Sequence, residues 1–65
     1  MTILSLLSII PASTIVRVLQ PTENSSIEII GKRRAVEQIC NSLDLCKEEV
    51  ALLDITKEGL LSILI

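Results

Sequence analysis

The sequence predicts an α+β domain of two layers, one helix packed on a small mixed sheet, with the element order β-β-α-β-β. Three observations carry that prediction. Residues 14–20 (TIVRVLQ) and 26–30 (SIEII) are β-branched runs on either side of a polar turn, the pattern of an antiparallel hairpin. Val36, Ile39, Cys40 and Leu43 follow the i, i+3, i+4, i+7 spacing of one buried helical face. Two further aliphatic runs, residues 50–55 and 60–65, are separated by a turn that ends in Gly59. A helix with a single apolar stripe buries it most simply against one face of a sheet.

The N-terminal residues 1–10 stay open between two readings. Thr2, Ser5 and Ser8 recur every three residues among Ile3, Leu4, Leu6, Leu7, Ile9 and Ile10, which suits a helix with a small polar stripe, whereas the β-branched content suits an additional strand. Pro11 then punctuates the chain. In residues 14–20, Val16 and Val18 point one way and Ile15, Arg17 and Leu19 the other. Residues 21–26 supply turn chemistry through Pro21, Asn24 and Ser25. In the second strand Ile27 and Ile29 share one face, Glu28 and Ile30 the other. The helix has no Ser, Thr, Asp or Asn directly ahead of it, so it lacks the usual side-chain cap. Residues 44–49 end it, with Leu45 folding back onto the core. A chain of 65 residues supports one domain, spanning 1–65, with 1–13 as an N-terminal extension or extra strand.

Composition excludes several chemistries. The chain has no histidine, which removes His-based nucleophile activation and the commonest metal ligand, and no acid/base constellation replaces it. Cys40 and Cys46, separated by five residues, do not make a structural zinc site. They read as a small core residue and a turn residue, both reduced in a cytoplasm, with a short-loop disulfide as the lesser alternative. The expectation is no catalytic residue, no metal and no cofactor. No aromatic residue is present, and the pI is about 4.9, so stacking platforms and a basic field for nucleic acid are both missing. Residues 1–16 are uncharged, but no Lys or Arg precedes the apolar run and Pro11 interrupts it well short of the ~20 residues a spanning helix needs. Neither a signal peptide nor a membrane span is expected, and Asn24-Ser25-Ser26 reads as a polar turn rather than a glycosylation acceptor.

Residues 35–61 (AVEQICNSLDLCKEEVALLDITKEGLL) carry a more specific order. A strand hairpin precedes a helix that begins Val36-Glu37 and ends Leu43-Asp44-Leu45; Glu49-Val50, a strand, a polar turn and Gly59-Leu60 follow. Together with the hairpin of residues 14–30, this stretch is similar to the β-grasp, ubiquitin-like sulfur carriers of the thiamine and molybdopterin synthesis type, over about three quarters of the chain. The resemblance implies a β-grasp fold. It also implies a carrier whose Gly-Gly tail is adenylated and thiolated by an E1-like activating enzyme, the glycines being needed where a Cβ would clash. This sequence has Leu64-Ile65 at that end, and Asp44 where the family often has Gly just past the helix.

The functional expectation is therefore a noncatalytic β-grasp module acting through protein–protein contact. An active sulfur carrier with a truncated or replaced tail is one alternative, and a small secreted or membrane-associated protein another. If the sheet lacks a closing strand, Leu60, Leu61, Ile63, Leu64 and Ile65 form an uncharged edge that pairs with a second copy or a protein partner. The alternative is that residues 1–10 cover that edge. Lys32, Arg33 and Arg34 form the one concentrated charge, a candidate anion or acidic-partner contact at a helix N-terminus, weighed against plain solvated surface.

Overall fold

Alternation of apolar and polar residues in the first hairpin is realised as two seven-residue strands, β1 (Ile15–Pro21) and β2 (Ser26–Lys32), in the computed structural model, which describes all 65 residues. They pair antiparallel from Ile15↔Lys32 to Pro21↔Ser26. The connecting turn is closed by Thr22, whose N–H donates to the Ser25 carbonyl at 2.7 Å and whose Oγ1 accepts the Ser25 N–H at 3.2 Å. Helix α2 (Arg33–Ser42) follows β2 with no loop between them. Two short strands, β3 (Leu52–Ile55) and β4 (Leu61–Leu64), complete a four-stranded sheet in the order β2-β1-β4-β3. Strands β1 and β4 are parallel and β3 is antiparallel to β4. This mixed sheet, with its hairpin, helix and second strand pair, is β-grasp-like.

Residues 1–10 resolve to a helix. Thr2 caps the short helix α1 (Ile3–Leu7) by accepting the Ser5 N–H on its Oγ1 at 3.2 Å. The N–H groups of Ile3 and Leu4, orphaned at any helix start, donate to the carbonyls of Glu48 (2.9 Å) and Cys46 (3.1 Å). Ile3, Leu6, Leu7 and Ile10 are buried, again the helical i, i+3, i+4, i+7 set, while Ser5 and Ser8 face solvent. The extra-strand reading is overturned: the segment's sole β contact is the isolated bridge Thr2↔Glu49.

Helix α2 lacks a side-chain cap, as its sequence implies, but the backbone of the segment between α1 and β1 takes that role. Arg33 N–H donates to the Thr14 carbonyl at 2.7 Å and Arg34 N–H to the Ala12 carbonyl at 3.3 Å. Val36 and Cys40 are completely buried, but Ile39 and Leu43, expected on the same face, are 42% and 50% exposed. The reason lies at the C-terminus. Helical backbone ends at Ser42; Asp44 N–H bonds the Asn41 carbonyl and Leu45 N–H the Cys40 carbonyl, a Schellman closure with Asp44 in the left-handed region at φ 59°. The reversal swings Leu45 into the core position that helical periodicity assigns to Leu43.

Eleven residues form the core: Ile3, Leu6, Leu7 and Ile10 from the N-terminal segment, Val36, Cys40 and Leu45 from the helix and its exit, and Val16, Val18, Ile29 and Ile63 from one face of the sheet. No polar or charged residue is buried. The expected unpaired edge at Leu60, Leu61, Ile63, Leu64 and Ile65 is overturned. Strand β4 lies between β1 and β3, Ile63 is fully buried, and Leu61 and Ile65 pack against the core. Parallel pairing with β1 is what puts β4 in the interior. The uncharged strand β4 lies in the interior, and both edge strands carry charge, β2 with Glu28 and Lys32 and β3 with Asp54, which discourages further pairing there.

Candidate functional site

Both helices contribute to the core on one face of the sheet, so the opposite face has no layer over it. Strand periodicity decides which side chains stand there. The registers Leu19↔Leu64 and Leu52↔Leu64 place Leu19, Leu64 and Leu52 in one row across β1, β4 and β3. The adjacent row, from Ile30↔Arg17, Arg17↔Ser62 and Asp54↔Ser62, reads Ile30, Arg17, Ser62, Asp54. Ile15 stands at one end beside a shallow depression lined by Ile15, Ile30, Glu58, Gly59 and Leu60. Leu52 is 58% exposed, Ile30 56% and Ile15 44%, while Leu19 and Leu64 are half-buried.

The charges on this face are spread across it. Arg17 Nε donates to Glu28 Oε2 at 2.6 Å, a cis pair between β1 and β2. Asp54 Oδ1 accepts the N–H of Ile55 at 2.9 Å. Thr56 N–H bonds the Leu60 carbonyl, so by the alternation of an antiparallel ladder the Ile55 N–H points away from β4 toward the free edge. Asp54 thus occupies a donor that an added strand would need, which blunts the β3 edge as a pairing site.

The basic triplet is not brought together as an anion site. Arg33 pairs with Glu37 across one helical turn, Nη1 to Oε1 at 3.2 Å, and its Nε is buried without a partner. Lys32 and Arg34 are exposed. Two of the helix N–H groups expected to add to the attraction, those of Arg33 and Arg34, are already donated to the Thr14 and Ala12 carbonyls.

Both cysteines are free thiols. Burial, with nearby Cys46 adding to it, pushes the Cys40 thiol from 9.0 up to about 11, which keeps it protonated and unreactive at neutral pH. Cys46 lines a cavity of about 220 Å³ with Leu4, Glu37, Gln38 and Asn41, below the size usual for small-molecule sites. No three His, Cys, Asp or Glu side chains gather in metal-binding geometry, and no helix is long and apolar enough to cross a membrane.

Of the residues singled out from the sequence, Leu64 and Leu60 belong to the open face, whereas Ile63 and Leu61 belong to the core side. Leu19, Leu52, Ile15 and Ile30 were not anticipated as site residues. Their signal was present in β1, where Ile15 and Leu19 put apolar groups on the face opposite Val16 and Val18; a strand that covers itself on one side alone does not need them. The fold and this face define a small α+β protein with a four-stranded mixed sheet and an uncovered aliphatic face. No family model matches the chain, nor does any curated protein or solved structure.

Proposed function

We propose that this chain is a noncatalytic β-grasp-like module that works by protein–protein contact through the open face of its sheet. One observation carries the reading: Leu19, Leu64 and Leu52 form an aliphatic row, with Ile15 and Ile30 a second apolar group across the Arg17–Glu28 pair, and neither helix covers them. Contiguous exposed apolar surface on a small soluble fold marks contact sites, because leaving it in water forfeits burial energy. A photo-crosslinking residue at Leu52, compared with one at Gln38 on the exposed side of α2, tests it. Adducts with protein are expected at position 52 and not at 38. Equal labelling at both, or none at 52, would refute the assignment of this face.

A second reading, an active sulfur carrier acted on by an E1-like activating enzyme, draws support from the β-grasp-like topology together with the likeness of residues 35–61. Intact mass after incubation with ATP and such an enzyme distinguishes it: an acyl-adenylate or thiocarboxylate at the C-terminal carboxylate supports carriage, and an unmodified mass removes it.

A further inference from the structure

We infer that the open face closes on a second copy of this chain, in an isologous sandwich whose twofold axis runs along β4. The inference rests on the protein-contact reading and names the partner. Its ground is the charge pattern of two rows that the strand registers place side by side. In one row Leu19, Leu64 and Leu52 lie on β1, β4 and β3; in the next Arg17, Ser62 and Asp54 lie on the same three strands. Each row is thus centred on β4, with a leucine row symmetric about its centre and a charged row antisymmetric about it. A twofold along β4 sets Leu64 on Leu64 and Ser62 on Ser62 of the second copy. It sets Leu19 on Leu52 of that copy, and Arg17 on its Asp54. Both ion pairs form at once, since an isologous contact makes every pairing twice.

The groups needed for those pairs are at hand. Arg17 uses only Nε on Glu28, leaving both terminal nitrogens, and Asp54 uses only Oδ1 on Ile55 N–H, leaving Oδ2. Glu28 and Ile30 lie on β2, one strand outside the symmetric set, and extend past the β3 edge of the second copy. Side chains on facing sheets interdigitate at about 10 Å, with strands inclined about 30°, and rows near the axis keep their partners under that rotation. Edge pairing through β3 fits a second copy less well, because Asp54 holds the Ile55 donor and a twofold centred on Asp54 would oppose two carboxylates. The patch is small, about 20 by 13 Å from strand and residue spacings, so the dimer belongs to the weak class with dissociation in the micromolar range or above.

Sedimentation equilibrium of the full chain from about 10 μM to 1 mM, with charge swaps at Arg17 and Asp54, tests the arrangement. The wild type is expected to show a reversible monomer–dimer equilibrium. Arg17→Asp and Asp54→Arg each set like charges against each other twice and raise the dissociation constant by about tenfold or more. Mixing the two single variants, or combining both changes in one chain, restores both pairs and with them the dimer. Far-UV circular dichroism at low concentration checks folding. If Arg17→Asp unfolds beside Glu28, Arg17→Asp with Glu28→Arg keeps a cis pair and replaces it. A wild type that stays monomeric throughout, single swaps that dimerise as well as the wild type, or a mixture that fails to recover overturns the inference. A monomer that still crosslinks another protein at position 52 overturns the second copy alone and leaves the protein-contact reading standing.

Discussion

Replacing Asp44 by glycine is expected to stabilise this protein, although it deletes a side chain. Asp44 is the residue at which α2 reverses: φ is 59°, and the closure bonds on either side are formed, Asp44 N–H to Asn41 O at 3.2 Å and Leu45 N–H to Cys40 O at 2.8 Å. A residue with a Cβ pays a steric penalty of ~1–2 kcal/mol in this region, somewhat less for Asp, and glycine none. Glycine loses ~0.5–1 kcal/mol of this through its freer unfolded chain. The Asp44 carboxylate also stands at the negative end of the helix dipole, an unfavourable placement of ~0.3–1 kcal/mol. Its side chain is exposed and makes no hydrogen bond or ion pair, so nothing offsets these terms. The balance is a gain of about 1 kcal/mol, or roughly 4–8 °C in Tm for a domain of this size. Urea unfolding followed at 222 nm measures it, at one fixed protein concentration. Asp44→Asn separates the contributions, since it removes the charge and keeps the left-handed Cβ; it is expected to recover less than half of the gain, and that part is lost in high salt. An Asp44→Gly protein no more stable than the wild type would refute the reasoning, and Asp44→Asn matching it would reassign the gain to charge alone.

Three further outcomes are expected. The Cys40 thiol is raised from 9.0 to about 11 in the folded protein, so its protonated form adds stability that is fully present below pH 9 and is lost as pH rises through 11. The loss is at most about 2–3 kcal/mol and disappears in Cys40→Ala; iodoacetamide at pH 8 is expected to label Cys46 well before Cys40, read by peptide mass. Thr2→Ala removes the acceptor for Ser5 N–H and is expected to cost about 1 kcal/mol in urea unfolding, with protection from hydrogen exchange lost first at residues 3–7. Ile63→Ala empties a fully buried position at the centre of the sheet and is expected to cost ~2–5 kcal/mol, a large share of the ~3–10 kcal/mol available to 65 residues, so its melting transition broadens or vanishes.

Local pattern was enough for the hairpin, where Val16, Val18 and Ile29 all stand on the face that alternation assigns to them. It was enough for the part of α2 that packs on the sheet, Val36 and Cys40, and for Leu45 turning inward. Residues 1–10 were ambiguous because β-branched content and helical spacing disagree there. The carbonyls of Cys46 and Glu48, more than forty residues away, decide it by receiving the first helical N–H groups. The position of β4 was illegible for a related reason. Parallel pairing with β1 joins residues 16–19 to 61–64, and no periodicity within either run encodes which neighbour it takes. Leu43 failed because periodicity continues a helix that backbone reversal has already ended. For the open face, Ile15 and Leu19 were readable as residues turned away from the core, but that they stand in rows with Leu64, Leu52 and Asp54 follows only from the registers.

The same arrangement ties folding to association. A chain of 65 residues buries only about 60% of the surface its unfolded form exposes, and here one face of the sheet is covered by neither helix. Strand β3 is the extreme case, with every one of its four residues exposed. Its neighbour β4 depends on it for antiparallel pairing, while β4 in turn carries Ile63 into the core. Covering Leu52 and Asp54 with a second copy therefore stabilises the strand that holds the centre of the sheet in place. Since the unfolded chain has no such face, association adds stability by mass action, about 2.7 kcal/mol when the protein stands a hundredfold above its dissociation constant. The unfolding midpoint must then rise with protein concentration in the wild type and be flat in Asp54→Arg. Equal midpoints at 10 μM and 1 mM in the wild type would show that the leucine row stays in water, whatever its symmetry.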